Sequence, residues 1–304
     1  MEDNGVFAIQ ESHSDRSCEE LWRKDWTGKL FYSHGSSNSR GVLIGFTNNL
    51  DIDIEKSTCD KHGRILIVDF TYESKKFSLI NLYNANTEQE QINTLNSLKD
   101  HISNHDVDNR YPIVMVDLNF IFDLKLDALG GKPSLKKGSI SSFVKIKEML
   151  DISDIFRVRH PNTKRFTFRQ RNKASETIHR RLDYIFLANC LQEFAQKVEV
   201  LPSFLSDHSP VLLSLNNSNA NERGRGLWKL NNCHLQDITF QNGVKETIKK
   251  TLNELITSSM SPHIIWEILK YEIRKFSIKF SKEKANIKNG VKLIHENIII
   301  KFFE

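Results

Sequence analysis

Two short apolar runs carry acid or imidazole where a buried strand should begin. Leu182–Leu187 has Asp183 near its start, and Val211–Leu215 is preceded by Ser206-Asp207-His208-Ser209-Pro210. Charged groups at the ends of buried strands are costly unless they are paired or hold a metal. An imidazole whose second ring nitrogen meets a carboxylate is fixed in one tautomer and becomes a better base. Asp183 is therefore the candidate orienter and His208 the candidate base, with Asp207 free to hold a cation. The same five residues also suit a tight turn in which Pro210 opens a strand, so other carboxylates must decide.

Polar groups recur at other strand ends. Glu11 follows the apolar run Val6–Ile9, and Tyr83 closes Phe77–Tyr83. Asp117 closes Pro112–Asp117 with Asn119 two residues on, and Thr167 lies within Arg165–Phe168. Strand ends of a sandwich converge on one rim, so these groups could line one cleft. Carboxylates and an amide are hard oxygen donors that suit Mg²⁺ or Mn²⁺, with Glu11 the best direct ligand. No Ser or Cys pairs with His208, so the nucleophile is water. Asp117 and Asn119 would position or deprotonate it, and Tyr83 would donate to a scissile phosphate.

The elements that must hold these groups follow from hydrophobic period. Besides the runs above, Gly41–Phe46, Ile65–Phe70 and Lys197–Leu201 read as strands. Leu21–Trp26 reads as helix or loop. Thr87–Ser103 places Ile92, Leu95, Leu98 and Ile102 on one helical face, with Thr87 and Glu90 as a capping box. Ser141–Leu150 is a second helix. Arg165–Phe168 and Leu182–Leu187 read as two strands joined by a long polar hairpin, Arg169–Arg181. Many short strands with a few helices predict an α/β fold, a four-layer sandwich of two packed mixed sheets. Residues 216–226 are a linker by composition. Residues 227–304, with amphipathic stretches Gly243–Ile256 and Pro262–Phe280, form a basic helical extension. The first domain spans 1–215.

Composition is that of an ordinary water-exposed chain: 304 residues, 39% hydrophobic, 27% charged, net charge +5. No apolar run reaches membrane-spanning length, so no membrane partner is expected. Cys18, Cys59, Cys190 and Cys233 are scattered, which argues against zinc ribbons and disulfide frameworks. Arg157–Leu182 carries nine Lys and Arg against one acid, Glu176. A local cationic segment points to an anionic partner met at one place.

Six segments together resemble the motif series of the endonuclease/exonuclease/phosphatase superfamily. They are Gln10-Glu11-Ser12, Asn81-Leu82-Tyr83-Asn84-Ala85-Asn86, Val116-Asp117-Leu118-Asn119, Phe166-Thr167-Phe168, Arg181-Leu182-Asp183-Tyr184-Ile185-Phe186 and Ser206-Asp207-His208-Ser209-Pro210. Within it the chain is most similar to the apurinic-like endonuclease domain of non-LTR (LINE-type) retrotransposon polyproteins, over Val6–Leu215. Residues Gly224–Asn231 and the helix from Ser261 resemble the segment those polyproteins place before a reverse transcriptase.

The resemblance implies a DNase I-like fold and a Mg²⁺-dependent DNA endonuclease that nicks target DNA for target-primed reverse transcription. Glu11 and Asp207 would serve the metal. Asp117, Asn119, His208, Asp183 and Tyr83 would serve catalysis. Thr167, Arg169, Arg171, Lys173, Arg181 and Ser206 would contact DNA. Duplex DNA, the element's own RNA and a reverse transcriptase domain are the implied partners, and the nucleus the implied location. The family also has an earlier strand bearing an Asn ligand, so the expected sandwich lacks its first strand. Two alternatives stand beside this reading: a chain that only binds nucleic acid, and a phosphatase acting on another phosphoester.

Overall fold

The computed structural model describes residues 5–104, 109–171, 177–203, 206–216, 230–255 and 260–303. The chain divides into two compact units, residues 1–218 and 219–304. The first holds fourteen strands among its described residues: β1 Val6–Gln10, β2 Lys29–Ser33, β3 Val42–Phe46, β4 Asp53–Cys59, β5 Ile65–Tyr72, β6 Lys75–Tyr83, β7 Tyr111–Asp117, β8 Ala128–Leu129, β9 Ile152–Asp154, β10 Phe168–Arg171, β11 Thr177–Arg180, β12 Asp183–Ala188, β13 Ala195–Val200 and β14 Val211–Leu215. Four helices accompany them: α1 Cys18–Asp25, α2 Glu88–Ser103, α3 Lys137–Leu150 and α4 Ile155–Arg159.

A six-stranded sheet, β4-β5-β6-β7-β12-β9, is the centre of this unit. Only β6 and β7 pair in parallel, and α2 makes the crossover between them. Alternation along these strands gives the sheet two apolar faces. Ile80, Leu82, Val114, Val116, Tyr184 and Phe186 face α2 and α3, where Leu95, Leu98, Phe143 and Ile146 complete one core. The other face carries two smaller sheets. The sheet β1-β3-β2 packs Val42, Ile44 and Phe46 onto Leu66, Val68 and Leu79. The pair β13-β14 packs Val198 and Val200 near Ile185 and Leu187. Each fully buried Ile, Leu or Phe contributes roughly 1.5–3 kcal/mol.

The mixed sandwich of packed sheets is thus as expected from sequence. Its second layer comes in two pieces, and α1 adds cover outside β2, where Trp22 stacks on Tyr32. The strand assignments around the basic segment need correction. Arg165–Phe168 is not a strand paired through a long hairpin to Leu182–Leu187. Instead β10 and β11 pair with each other, Phe168 opposite Arg180, and β11 continues to β8. Strand β4 is polar enough to lack the apolar signal, and β2, whose apolar run Leu30-Phe31-Tyr32 is short, also went unread. The Thr87–Glu90 box forms only between side chains, Oγ1 to Oε2 at 2.9 Å, and does not cap the backbone of α2.

The second unit holds α5 Ile238–Leu255 and α6 Pro262–Phe303. Both exceed the helices expected from periodicity. Phe240, Phe276 and Phe280 pack in tilted and edge-to-face pairs where the two meet. Among the described residues no helix is long and apolar enough to cross a membrane.

Candidate active site

One rim of the central sheet collects the strand-end polar groups. Tyr83 ends β6 and lies in register with Asp117, which ends β7. Asp117 in turn lies in register with Asp183, the first residue of β12. Three adjacent strands therefore deliver a phenol and two carboxylates side by side. The bond from Leu118 N–H to the Leu182 carbonyl, 2.9 Å, holds the ends of β7 and β12 together.

His208 reaches this rim through a backbone bridge to Phe168. Its Nδ1 lies 2.9 Å from Asp183 Oδ2, and its ring packs on Phe168, 5.0 Å between centroids. Ser206 shapes the turn by accepting the His208 N–H at 3.0 Å. The Asp207 carbonyl accepts from Arg169 N–H at 3.0 Å, leaving its side chain on the exposed side of the turn. Asp117, Asp183 and His208 offer ligand atoms that all lie within 4.8 Å of one another.

Electrostatics mark the cluster as unbalanced. Burial, together with the neighbouring Asp183 charge, pushes the Asp117 carboxyl well above the usual carboxylate range, and His208 only partly offsets this. Burial pulls His208 down, but the hydrogen bond and charge of Asp183, with Asp117 and Asp207 behind, outweigh it and hold the imidazole at about 9. Without a bound cation His208 is therefore an imidazolium at neutral pH, an acid and electrostatic donor. Burial and the Glu11 carboxylate raise the Tyr83 phenol, so it keeps its proton.

Glu11 arrives from the opposite layer. It follows β1 with φ +53°, and its carboxylate accepts the Tyr83 hydroxyl proton in a hydrogen bond. Gln10 and β3 fix that approach. Gln10 Nε2 donates to Asn81 Oδ1 at 2.6 Å, and Asn81 Nδ2 donates to the Ile9 and Leu43 carbonyls. Asn119 also has positive φ, +52°. Its N–H donates to Asp117 Oδ1 at 3.0 Å and its Nδ2 to the Asn84 carbonyl at 3.0 Å. Gln91 Nε2 and Lys136 Nζ both donate to its carbonyl. Strained backbone held by so many bonds is characteristic of functional sites.

Sequence-predicted residues thus fall into three groups. Glu11, Tyr83, Asp117, Asn119, Asp183 and His208 come together at the rim, with Asp207 and Ser206 on the adjoining turn. Arg169 and Arg171 lie on the β10–β11 hairpin, Arg171 exposed; Lys173 lies outside the described residues. Thr167 and Arg181 are corrections. Thr167 is 1% exposed, too buried to touch DNA. Its Oγ1 accepts the N–H groups of Leu182 and Asp183, positioning the start of β12. Arg181 is equally buried and bridges Asp127 and Asp154 at 2.8 and 2.6 Å beneath the Tyr184 ring.

The supports Asn81, Asn84, Gln91, Lys136 and Asp127 were missed, as was Arg64, whose guanidinium sits 5.3 Å over the Tyr83 ring. A buried amide inside the apolar run of β6 was the signal that could have found Asn81. A lone Arg opening a strand gave none for Arg64.

No family model matches the chain. It is 25% identical over 242 residues to a transposon TX1 uncharacterized 149 kDa protein of Xenopus laevis, a match covering 80% of this chain and 18% of that protein. The chain thus spans about a fifth of that relative. Among solved structures, an AP endonuclease from Archaeoglobus fulgidus superposes with TM-score 0.55 at 17% identity, covering 70% of this chain and 89% of the other. AP endonuclease LMAP from Leishmania major gives TM-score 0.54 at 17% identity, covering 70% and 78%. These likenesses bear out the resemblance read from the motifs: the chain has the fold of the apurinic endonucleases, joined to sequence similarity with a transposon-encoded protein.

Proposed function

We propose that this chain is a divalent-metal-dependent DNA endonuclease that hydrolyses a phosphodiester and nicks duplex DNA, leaving a 3′-hydroxyl. The observation that carries the reading is the gathering of Asp117, Asp183 and His208 at one rim within 4.8 Å, with Tyr83 and Glu11 joined beside them.

The donor set fits a hard cation. Carboxylate oxygens predominate, and Asp117, raised first by burial and then by the Asp183 charge, is a carboxyl that a nearby cation would help to ionise. Glu11 would hold Mg²⁺ or Mn²⁺, with Asp117 and Asp207 adding charge. When bound, the cation supplies charge neutralisation on phosphoryl oxygens. Asp117, with a raised affinity for protons, is suited to take one from water near neutral pH. Asn119, locked to Asp117 through its N–H, orients that water. His208, charged and held by Asp183, stabilises negative charge developing on the phosphate. Tyr83 retains its proton and acts as a hydrogen-bond donor.

Arg169 and Arg171, with Lys173, would track the phosphate backbone beside the site, giving sequence-tolerant affinity. By the motif resemblance the chain would act within a retrotransposon in the nucleus, with the element's RNA and a reverse transcriptase as partners; the transposon-encoded relative supports the mobile-element setting. A phosphatase acting on another phosphoester is the competing reading, and the basic hairpin favours DNA over it.

Product chemistry separates them. Duplex DNA incubated with the protein and Mg²⁺ should acquire nicks that a DNA polymerase extends. Phosphate release from inositol phosphates, with no extendable nick in DNA, would favour the phosphatase instead.

A further inference from the structure

The segment after Glu11 is held by a polar chain that the nuclease reading leaves unused. Ser12 Oγ lies 2.9 Å from Ser14 Oγ, and Ser14 Oγ lies 3.1 Å from His34 Nδ1. His34 Nε2 lies 3.0 Å from Glu19 Oε1. One proton assignment satisfies all three contacts in a neutral imidazole. Ser12 donates to Ser14, Ser14 donates to Nδ1, and Nε2–H donates to the Glu19 carboxylate.

The chain ties the loop that carries Ser12 and Ser14 to two other elements. Ser14 is 1% exposed. His34 follows β2 and its ring stacks on Tyr32 at 5.2 Å. Glu19 rides on α1, which has no buried residue of its own and is anchored at its start by Asp15 accepting the Ser17 N–H. The backbone joins in: Ser12 N–H donates to the Gly41 carbonyl and His13 N–H to the Arg40 carbonyl. Gly41 has φ +91°, and a Cβ there would meet Ser12 Oγ at 2.4 Å. Glu11 and His13 both adopt positive φ. Positive φ is unfavourable for these residue types and persists where surroundings over-determine it.

We infer that the Ser12–Ser14–His34–Glu19 chain is a positioning device that locks the strained loop and so aims the Glu11 carboxylate at the cation. The inference rests on the proposed metal-dependent nuclease and assigns its metal affinity to residues that never touch the metal. Outer partners of metal ligands govern affinity through orientation, with losses of roughly 10–100-fold on removal.

The test is Mn²⁺ binding by isothermal titration calorimetry on the full chain, with thermal melting in EDTA as a check on folding. Ser14→Ala and His34→Ala should each weaken Mn²⁺ binding about tenfold, and His34→Asn, which keeps an acceptor for Ser14, should recover part of the loss. Ser14→Ala removes one oxygen and gives a second variant should His34→Ala fail to fold. In a Glu11→Gln background Ser14→Ala should cause no further loss, since its effect runs through Glu11. Wild-type binding with unchanged affinity in Ser14→Ala would overturn the positioning role alone. Absence of Mn²⁺ binding by the wild type would overturn both this inference and the nuclease reading beneath it.

Discussion

Asp117 is where charge, burial and proposed chemistry meet. The residue is 4% exposed and lies opposite Asp183 in the β7–β12 register. A carboxyl whose proton affinity is raised by folding costs stability once the pH rises above its unfolded pKa, about 4, because the unfolded chain then loses the proton more readily. Asp117→Asn removes that penalty and keeps an acceptor for the Asn119 N–H. The variant should melt higher than wild type in EDTA at neutral pH, and should lose nicking. A lower melting temperature in EDTA would show the crowding to be illusory.

His208 gives the opposite sign. Its folded pKa, about 9, lies above the ordinary 6.5, so the protonated ring stabilises the fold. That contribution is complete below about pH 6.5 and fades as pH rises through about 9. Melting curves in EDTA should show His208→Asn costing more at pH 6 than at pH 10. A cost independent of pH would remove the Asp183–imidazolium pair from the account. Asp183, Asp207 and His208 were legible in sequence only together with Glu11, Tyr83, Asp117 and Asn119, because the Ser206–Pro210 stretch alone suits an ordinary turn equally well. The protonation state was not, because it depends on Asp117, which lies far away in sequence.

At the level of elements, the basic run Arg157–Arg181 divides in two. Arg157 and Arg181 both reach Asp127, at 2.7 and 2.8 Å, and tie β9, β12 and the loop before β8 together. Arg169 and Arg171 stand on the β10–β11 hairpin. Sequence cannot tell these apart, since a guanidinium looks the same whether it neutralises a buried acid or a phosphate, and Asp127 is distant in the chain. The consequences differ sharply. Arg181→Gln leaves Asp127 and Asp154 short of a cation and should cost about 3–5 kcal/mol in urea unfolding. Arg171→Ala should leave stability unchanged but reduce the slope of log affinity for duplex DNA against log salt by about 1. If Arg181→Gln instead altered the salt slope and not the unfolding midpoint, the division would be wrong.

For the molecule as a whole, the first unit was readable because its central strands β5, β6, β7 and β12 are continuous apolar runs. Polar β4, the short apolar run of β2 and the arginine-rich β10 gave no such signal, and neighbours decide their conformation. The second unit was readable as helices from its period, with boundaries that fell short.

Five separate segments of the first unit bring Glu11, Tyr83, Asp117, Asn119, Asp183 and His208 to one rim, where the proposed function has them serve one hydrolytic event. The most direct test is the initial rate of supercoiled-plasmid nicking by the full chain in Mg²⁺, in EDTA, and in Asn119→Ala and His208→Ala variants. The account predicts nicking in Mg²⁺, none in EDTA, and rates lowered about 10²–10⁴-fold in each variant. Nicking that persists in EDTA, or that either variant leaves at the wild-type rate, would contradict it.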